Sequence, residues 1–502
     1  MMVVREAFNN YLRRSGLEEK EYQHEGVAWC YKNETSLDLL VHGGFIVDEM
    51  GLGKTIVMIG LFVCHYLPRT LIVLPPVLID QWFKQIQRTT GHSSIVFKKS
   101  KTTLEQLNSA HIVITTYGAL VRDCLLHQVD WSRIVFDEAH HIRNEKTQVF
   151  QGAKKLKSPI RWLVSGTPIQ NSKRDFYSLC SALNLKPAFY KNPANLRTIA
   201  TCYMLRRTKV DVGIILPQLT INNHIIKWKD ERERRLSNQI HASFHFSKGD
   251  KGEGEGEGEA NEMSLLCRFI RAKQSCVLPR LVPFGNHVKS TSKMDYVVEM
   301  LIERKDNERG KLVFCHFREE IDEIARRLVH HLRVATFDGR NSHEERILIL
   351  NSKLDVLILQ IQTGCEGLNL QEHYSEIYFV SPHWNPAVED QAIARCHRIG
   401  QTKTVDVFRF EMEGFNKEDD IGSPSIDNYV TSVQDNKRNV ANVCLSGVIM
   451  EESEEEEIEV KKMKKKKKEK RRRITTEMMF LELEAEEVDD DEIDDDLEEE
   501  EL

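Results

Sequence analysis

The chain is 502 residues long, 41% hydrophobic and 29% charged, with a formal net charge of -7. That length exceeds a single compact core and points to several domains, roughly two to four. No stretch of about eighteen apolar residues occurs, which excludes a membrane-spanning helix, and the opening MMVVREAFNNYLRRSG lacks the apolar segment of a secretory signal. A soluble intracellular protein is expected.

Short β-branched runs separated by helix-length stretches come in two blocks. The first block holds GFIV (44–47), TLIVL (70–74), HIVIT (111–115), RIVF (133–136) and RWLVS (161–165). The second holds KLVFCHF (311–317), RVATF (333–337), DVLILQ (355–360), EIYFV (376–380) and VDVFRF (405–410). Such alternation predicts βαβ units, and therefore an α/β fold with two parallel sheets. Between the blocks a helix-rich bridge contains KGDKGEGEGEGEA (248–260), a repeat that can bury nothing and is expected to be a flexible loop. The expected division is a first lobe over 1–190, a helical bridge over 191–290, a second lobe over 291–412 and a mostly disordered charged tail over 413–502.

Charge is unevenly placed. Residues 451–502 carry 24 acidic and 11 basic side chains, which leaves the body, 1–450, at +6. A mildly basic body permits a nucleic-acid partner. The eleven cysteines are scattered, with no CxxC pair, so no structural zinc is expected.

The segment DEMGLGKT (48–55) follows a strand and opens a helical run. Gly51 and Gly53 let backbone N–H groups curl around phosphate oxygens, at the N-terminus of the next helix. Lys54 can then reach the β/γ-phosphates of ATP, and the Thr55 hydroxyl can ligate Mg²⁺. The general P-loop pattern has Gly where Asp48 stands. The nucleotide-binding loop is thus read as Asp48, Glu49, Met50, Gly51, Leu52, Gly53, Lys54 and Thr55. Downstream, RIVFDEAHHIRN ends an apolar strand on Asp137 and Glu138. Asp137 is expected to hold Mg²⁺, and Glu138 to orient and deprotonate the attacking water. Arg395 and Arg398, in DQAIARCHRIGQ, are spaced to share one helical face and are candidate arginine fingers.

Together these segments resemble the Swi/Snf family of helicase superfamily 2, in order, over about residues 20–412. EYQHEGVAW is similar to the family's Q motif, which makes Gln23 the adenine reader by resemblance, and DEMGLGKT matches the family's own P-loop, Asp48 included. LIVLPPVLIDQW, VITTYGAL, DEAHHIRN, LVSGTPIQN, MLRRTK, TGCEGLNL and PHWNPAVEDQAIARCHRIGQ follow in the family's order. HWNPAVEDQA and CRFIRAKQSCVLPRLV lean towards the subgroup of RING-bearing repair ligases and lodestar-like factors. The bridge holds only Cys267 and Cys276, so no RING, and no ligase activity, is implied. Cys365 departs from the family's second glycine after Gly364, leaving Glu366, Gly367 and Asn369 matching; Gly367 joins the nucleotide-site candidates.

The resemblance implies two RecA-like lobes that close on ATP and walk along double-stranded DNA without separating it. By the same resemblance Thr115 and Thr116 grip DNA from the first lobe, Thr363 and Asn369 grip it from the second, and Ser165 and Thr167 couple the two sites. Trp384 either touches the duplex or belongs to the core. The implied activity is a DNA-dependent ATPase that remodels or displaces protein–DNA complexes. A strand-separating helicase and a non-catalytic DNA-binding scaffold are the alternatives. KKMKKKKKEKRRR (461–473) reads as a nuclear import signal, a second DNA contact or a solvated linker. The acidic flanks could meet histones or transcription and repair proteins. Location follows as the nucleus, or a viral replication compartment for a viral source.

Overall fold

In a computed structural model the described residues are 2–168, 173–242, 265–364, 368–417 and 420–445. The Gly/Glu repeat and the charged tail from residue 446 onwards lie outside them.

The first sheet has seven parallel strands: β1 (His42–Ile46), β2 (Thr70–Leu74), β3 (Ser94–Val96), β4 (Ile112–Thr116), β5 (Arg133–Asp137), β6 (Ile160–Val164) and β7 (Met204–Leu205). Their order is β3-β4-β2-β5-β6-β1-β7. The second sheet is built from β8 (Leu219–Ile226), β9 (Gly310–Cys315), β10 (Val334–Phe337), β11 (Val356–Gln360), β12 (Tyr374–Phe379) and β13 (Val405–Met412). It too is parallel, in the order β10-β11-β9-β12-β13-β8.

Helices cover both faces of each sheet, which is why the central strands read as unbroken apolar runs. Alternate residues feed different cores. In the first lobe Leu71, Val73 and Val113 join the cluster under the helices Gln148–Lys155 and Lys173–Ala182. Ile72, Leu74 and Ile114 point the other way, under Met2–Ser15, Glu21–Thr35 and Lys54–Cys64. The second lobe repeats the scheme. Val313, Ile358 and Tyr378 pack on one side, and Leu312, Leu357 and Ile377 on the other.

Two expectations need correction. The bridge is not purely helical, because β7 belongs to the first sheet and β8 is an edge strand of the second. Nor does order stop at residue 412. Two short antiparallel strands, β14 (Phe415–Lys417) and β15 (Asp420–Ser423), are followed by the helix Ile426–Leu445. Ile426 and Val430 of that helix enter the second-lobe core. Polar groups do the rest of the docking. The Lys293 ammonium meets Asp427 Oδ2 at 2.6 Å with both side chains fully buried, and Ser381 Oγ accepts from Lys293 at 3.0 Å. Buried polar residues such as Asp427 and Gln434 interrupt the helix's apolar pattern, so hydrophobic periodicity fades there while structure continues.

That pair carries a stability prediction. Asp427→Ala strands the Lys293 ammonium in the core and should cost about 3–5 kcal/mol. Replacing both by apolar residues of similar volume should cost much less. Urea unfolding followed by circular dichroism measures both; equal losses would show that the pair's charge is not the issue.

Candidate nucleotide site between the lobes

The parallel topology brings the loops after β1, β5 and β6 to one sheet edge, the edge where ligands of open α/β sheets sit. The helix Lys54–Cys64 starts directly after the glycine loop. Gly53 is its N-cap at φ +82°, and Gly51 lies at φ +93°. Both are left-handed conformations that a side chain would resist. Lys54 leads the helix and donates from Nζ to the Asp48 carbonyl at 3.0 Å. Burial pushes its ammonium down from the ordinary lysine value, while Glu138, Asp137 and Asp48 pull it back. Thr55 follows in the first helical turn, half-buried.

The loop's two acids are already engaged. Asp48 is buried and takes Arg207 in a fork, Nε to Oδ1 at 3.1 Å and a terminal nitrogen to Oδ2 at 2.5 Å. Glu49 accepts the Lys209 amide at 2.8 Å and its ammonium at 2.7 Å. With their side chains so engaged, these two positions are left to offer a phosphate their backbone. The fork also explains why Asp48 stands where other P-loops have glycine. MLRRTK contains both partners, a role that spacing alone did not reveal. Gln23, also buried, donates from Nε2 to the Leu52 carbonyl at 3.2 Å and so braces the loop from below. Met50 packs against Gly166, and the Leu52 side chain is buried.

Opposite Lys54, Asp137 closes β5 and Glu138 follows in a left-handed conformation, φ +49° and ψ +52°. Strain of this kind persists where the surroundings over-determine it, often at functional sites. Asp137 Oδ2 accepts from Trp82 Nε1 at 2.8 Å, and Oδ1 accepts the Glu138 amide at 3.0 Å. Burial and the neighbouring Glu138 charge raise the Asp137 carboxyl above its ordinary range. Burial alone would raise Glu138 as well, but His140, Lys54 and Arg395 hold it below its ordinary range. Glu138 Oε2 is buried without a hydrogen bond, with His140 Nδ1 3.4 Å away. A buried, unsatisfied carboxylate oxygen beside a second acid fits a site built for a cation and its bound waters.

The second lobe reaches this cleft. Arg395 lies in the last turn of the helix Pro386–Cys396 and acts electrostatically on both Lys54 and Glu138. Arg398 lies beyond the helix, past the His397 C-cap, so the two arginines do not share a helical face as their spacing suggests. Its Cβ lies 3.6 Å from where a Gly51 Cβ would stand, and a terminal nitrogen donates to Asn369 Oδ1 at 2.5 Å. Burial, reinforced by Arg395, lowers its pKa from the ordinary arginine value. Gln391 Nε2 spans the lobes to Thr167 Oγ1 at 3.5 Å. Thr167 in turn donates its amide to Ser165 Oγ at 3.2 Å, and Ser165 Oγ lies 3.4 Å from His140 Nδ1. Ser165 and Thr167 thus stand between the acidic pair and the second lobe.

The candidate DNA grips fare unevenly. Thr115 is 1% exposed with its hydroxyl buried, so it cannot touch a duplex directly. Thr116, at the end of β4, is half-buried and accepts the Ala119 amide at 3.4 Å. Asn369 is exposed but shares its carbonyl oxygen with Arg398. Trp384 packs edge-on to Phe269 at 5.4 Å, with Lys437 Nζ 4.6 Å over its ring. It therefore helps seat the helix Ile426–Leu445, the core alternative of its two readings. Thr363 lies in the helix Ile361–Gly364, its side chain outside the description, and Gly367 and Glu366 fall outside the described residues altogether.

A family model described as the SNF2-related domain matches residues 22–281, more than half of the chain. The chain belongs to the SNF2-related family. The helicase conserved C-terminal domain matches residues 292–400. Among similar proteins is the Mycoplasma genitalium "Uncharacterized ATP-dependent helicase MG018", 29% identical over 85% of this chain and 42% of that protein. The "Probable global transactivator" of Orgyia pseudotsugata multicapsid polyhedrosis virus is 27% identical over 84% of this chain and 90% of its own length. The human "DNA excision repair protein ERCC-6-like" is 27% identical over 78% of this chain and 39% of that protein. This SNF2-related chain therefore spans about two fifths of the mycoplasmal and human relatives, and most of the viral one. Among solved structures, the Sulfolobus solfataricus SWI2/SNF2 ATPase core in complex with dsDNA is similar, with 26% identity, 88% of this chain and 96% of that one covered, and a TM-score of 0.39.

Proposed function

We propose that this SNF2-related chain is an ATP-driven translocase on double-stranded DNA that remodels or displaces protein–DNA complexes. The observation that carries the reading is the meeting of the two lobes over the glycine loop, with Arg398 against Gly51 and Gln391 against Thr167. ATP held there touches both halves, so hydrolysis changes how they sit.

Lys54 binds the β/γ-phosphates, and the Gly51–Thr55 backbone cradles them. Gln23 reads adenine at the loop's base. Glu138 takes a proton from the attacking water, and Arg395 and Arg398 offset charge on the γ-phosphate. Thr55 and Asp137 would hold Mg²⁺, whose charge neutralises the phosphates. Thr116, Thr363 and Asn369 remain the DNA-grip candidates, and Ser165 and Thr167 the couplers. Contacts from such groups to phosphates read no sequence, which suits a motor. The basic run 461–473 supports a nuclear location, with the acidic flanks as contacts for histones or repair proteins.

The test is a triplex-displacement assay run beside a strand-separation assay with ATP. Displacement of the third strand without unwinding of a forked duplex is expected, and ATPase stimulation by duplex DNA should far exceed that by RNA. Unwinding without displacement would favour a strand-separating helicase. Equal stimulation by RNA would remove the DNA assignment.

A further inference from the structure

We infer that Trp82 and Tyr117 are positioning residues that clamp Asp137 from two sides and set the protein's affinity for the nucleotide-bound divalent cation. The inference rests on the proposal that Asp137 holds that cation.

Trp82 sits on the helix Ile79–Thr89, which follows β2, and is 1% exposed. Tyr117 directly follows β4 and is 5% exposed. β2 lies between β4 and β5, so the segment after β2 carries Trp82, and the segment after β4 carries Tyr117, to the end of β5. The indole N–H donates to Asp137 Oδ2 at 2.8 Å. The Tyr117 hydroxyl donates to the Asp137 carbonyl at 2.7 Å. With the Glu138 amide on Oδ1, side chain and backbone of Asp137 are held at three points.

A buried indole N–H always seeks an acceptor, so the bond needs comparison with its peers. Trp131 satisfies its N–H on a backbone carbonyl, Leu126, at 2.9 Å. Trp162 uses the Glu34 carboxylate at 2.8 Å, but that carboxylate is already balanced by Arg133 at 2.6 Å, a closed structural pair. Among the described residues, the hydrogen-bond donors on the Asp137 carboxylate are the indole and one amide, both uncharged. They fix its orientation without consuming its charge. That is what a second layer around a cation ligand does, and losing such a partner typically costs about 10–100-fold in metal affinity.

The test is calorimetric titration of ADP into the full chain across a series of Mg²⁺ concentrations and in excess EDTA. Trp82→Phe should raise the Mg²⁺ concentration needed for tight ADP binding about tenfold or more, while ADP affinity in EDTA stays at the wild-type value. Tyr117→Phe, which removes a single oxygen and tests the clamp without a core cavity, should shift it in the same direction. A wild-type Mg²⁺ dependence in both variants overturns the inference. So does an equal loss with and without Mg²⁺, which would mark a purely structural role. Asp137→Asn separates the two levels. If it too leaves the Mg²⁺ dependence unchanged, the assignment of Asp137 to the cation falls. If it abolishes the dependence while the Trp82 and Tyr117 variants do not, only the clamp falls.

Discussion

Glu138→Gln should abolish ATP turnover, by at least about a hundredfold, while ATP still binds. The substitution keeps the shape of a side chain held in a left-handed turn and leaves a carbonyl oxygen facing His140. What it removes is the capacity to accept a proton from water. Burial costs the charged form of Glu138 energy, and the structure counters this with His140, Lys54 and Arg395, which together hold its carboxyl below the ordinary range and favour the carboxylate. Phosphate release with saturating ATP and duplex DNA measures the loss. Lys54→Ala should look different. It removes the cation proposed to meet the phosphates, so nucleotide binding should weaken along with turnover. A Glu138→Gln protein that hydrolyses ATP normally would remove Glu138 as the base.

Removing either arginine of the second lobe should cost on the order of a thousandfold in turnover. Arg395 and Arg398 are more than three hundred residues from the glycine loop in sequence, yet Arg398 lies against Gly51 and Arg395 acts on Lys54 and Glu138. The two should differ in their supports. Arg398 is steadied by Asn369, so Asn369→Ala should reproduce part of the Arg398→Ala loss, in DNA-free turnover as well, without removing a group that meets the nucleotide's phosphates. Asn369→Ala with full DNA-stimulated turnover would show that Arg398 needs no such support. Steady-state assays on the three variants, each checked for native thermal melting, decide this.

Much of the fold was legible because parallel strands buried on both faces leave an apolar signature. TLIVL became β2 with every residue buried. β8 escaped notice because LTINNHII lies at a sheet edge and its apolar residues are interrupted by Thr220, Asn222, Asn223 and His224. The helix Ile426–Leu445 escaped because Asp427 and Gln434 dock it as much as its apolar residues do. At the candidate site, the glycine loop and the acidic pair were readable from spacing that phosphate binding imposes locally. Relations across the fold were not. Asp48 and Arg207 meet over 159 positions, and Trp82 and Asp137 over 55. Thr115 matched its motif in type, but it lies within β4, where Ile112 to Thr115 are all buried because both faces of the sheet are covered. Arg398 matched in spacing, but the helix ended two residues earlier.

The central claim is that one nucleotide is held by both lobes at once. Its most direct measurement compares the affinity of ADP with that of ADP carrying beryllium fluoride, a γ-phosphate mimic, in the wild type and in Arg395→Ala/Arg398→Ala. ADP binding should be unchanged, and the mimic should bind about tenfold to a hundredfold more weakly to the double variant, the size expected of charge-assisted hydrogen bonds. Equal affinity of both proteins for the mimic would contradict the claim, because the second lobe would then contribute nothing to the bound nucleotide.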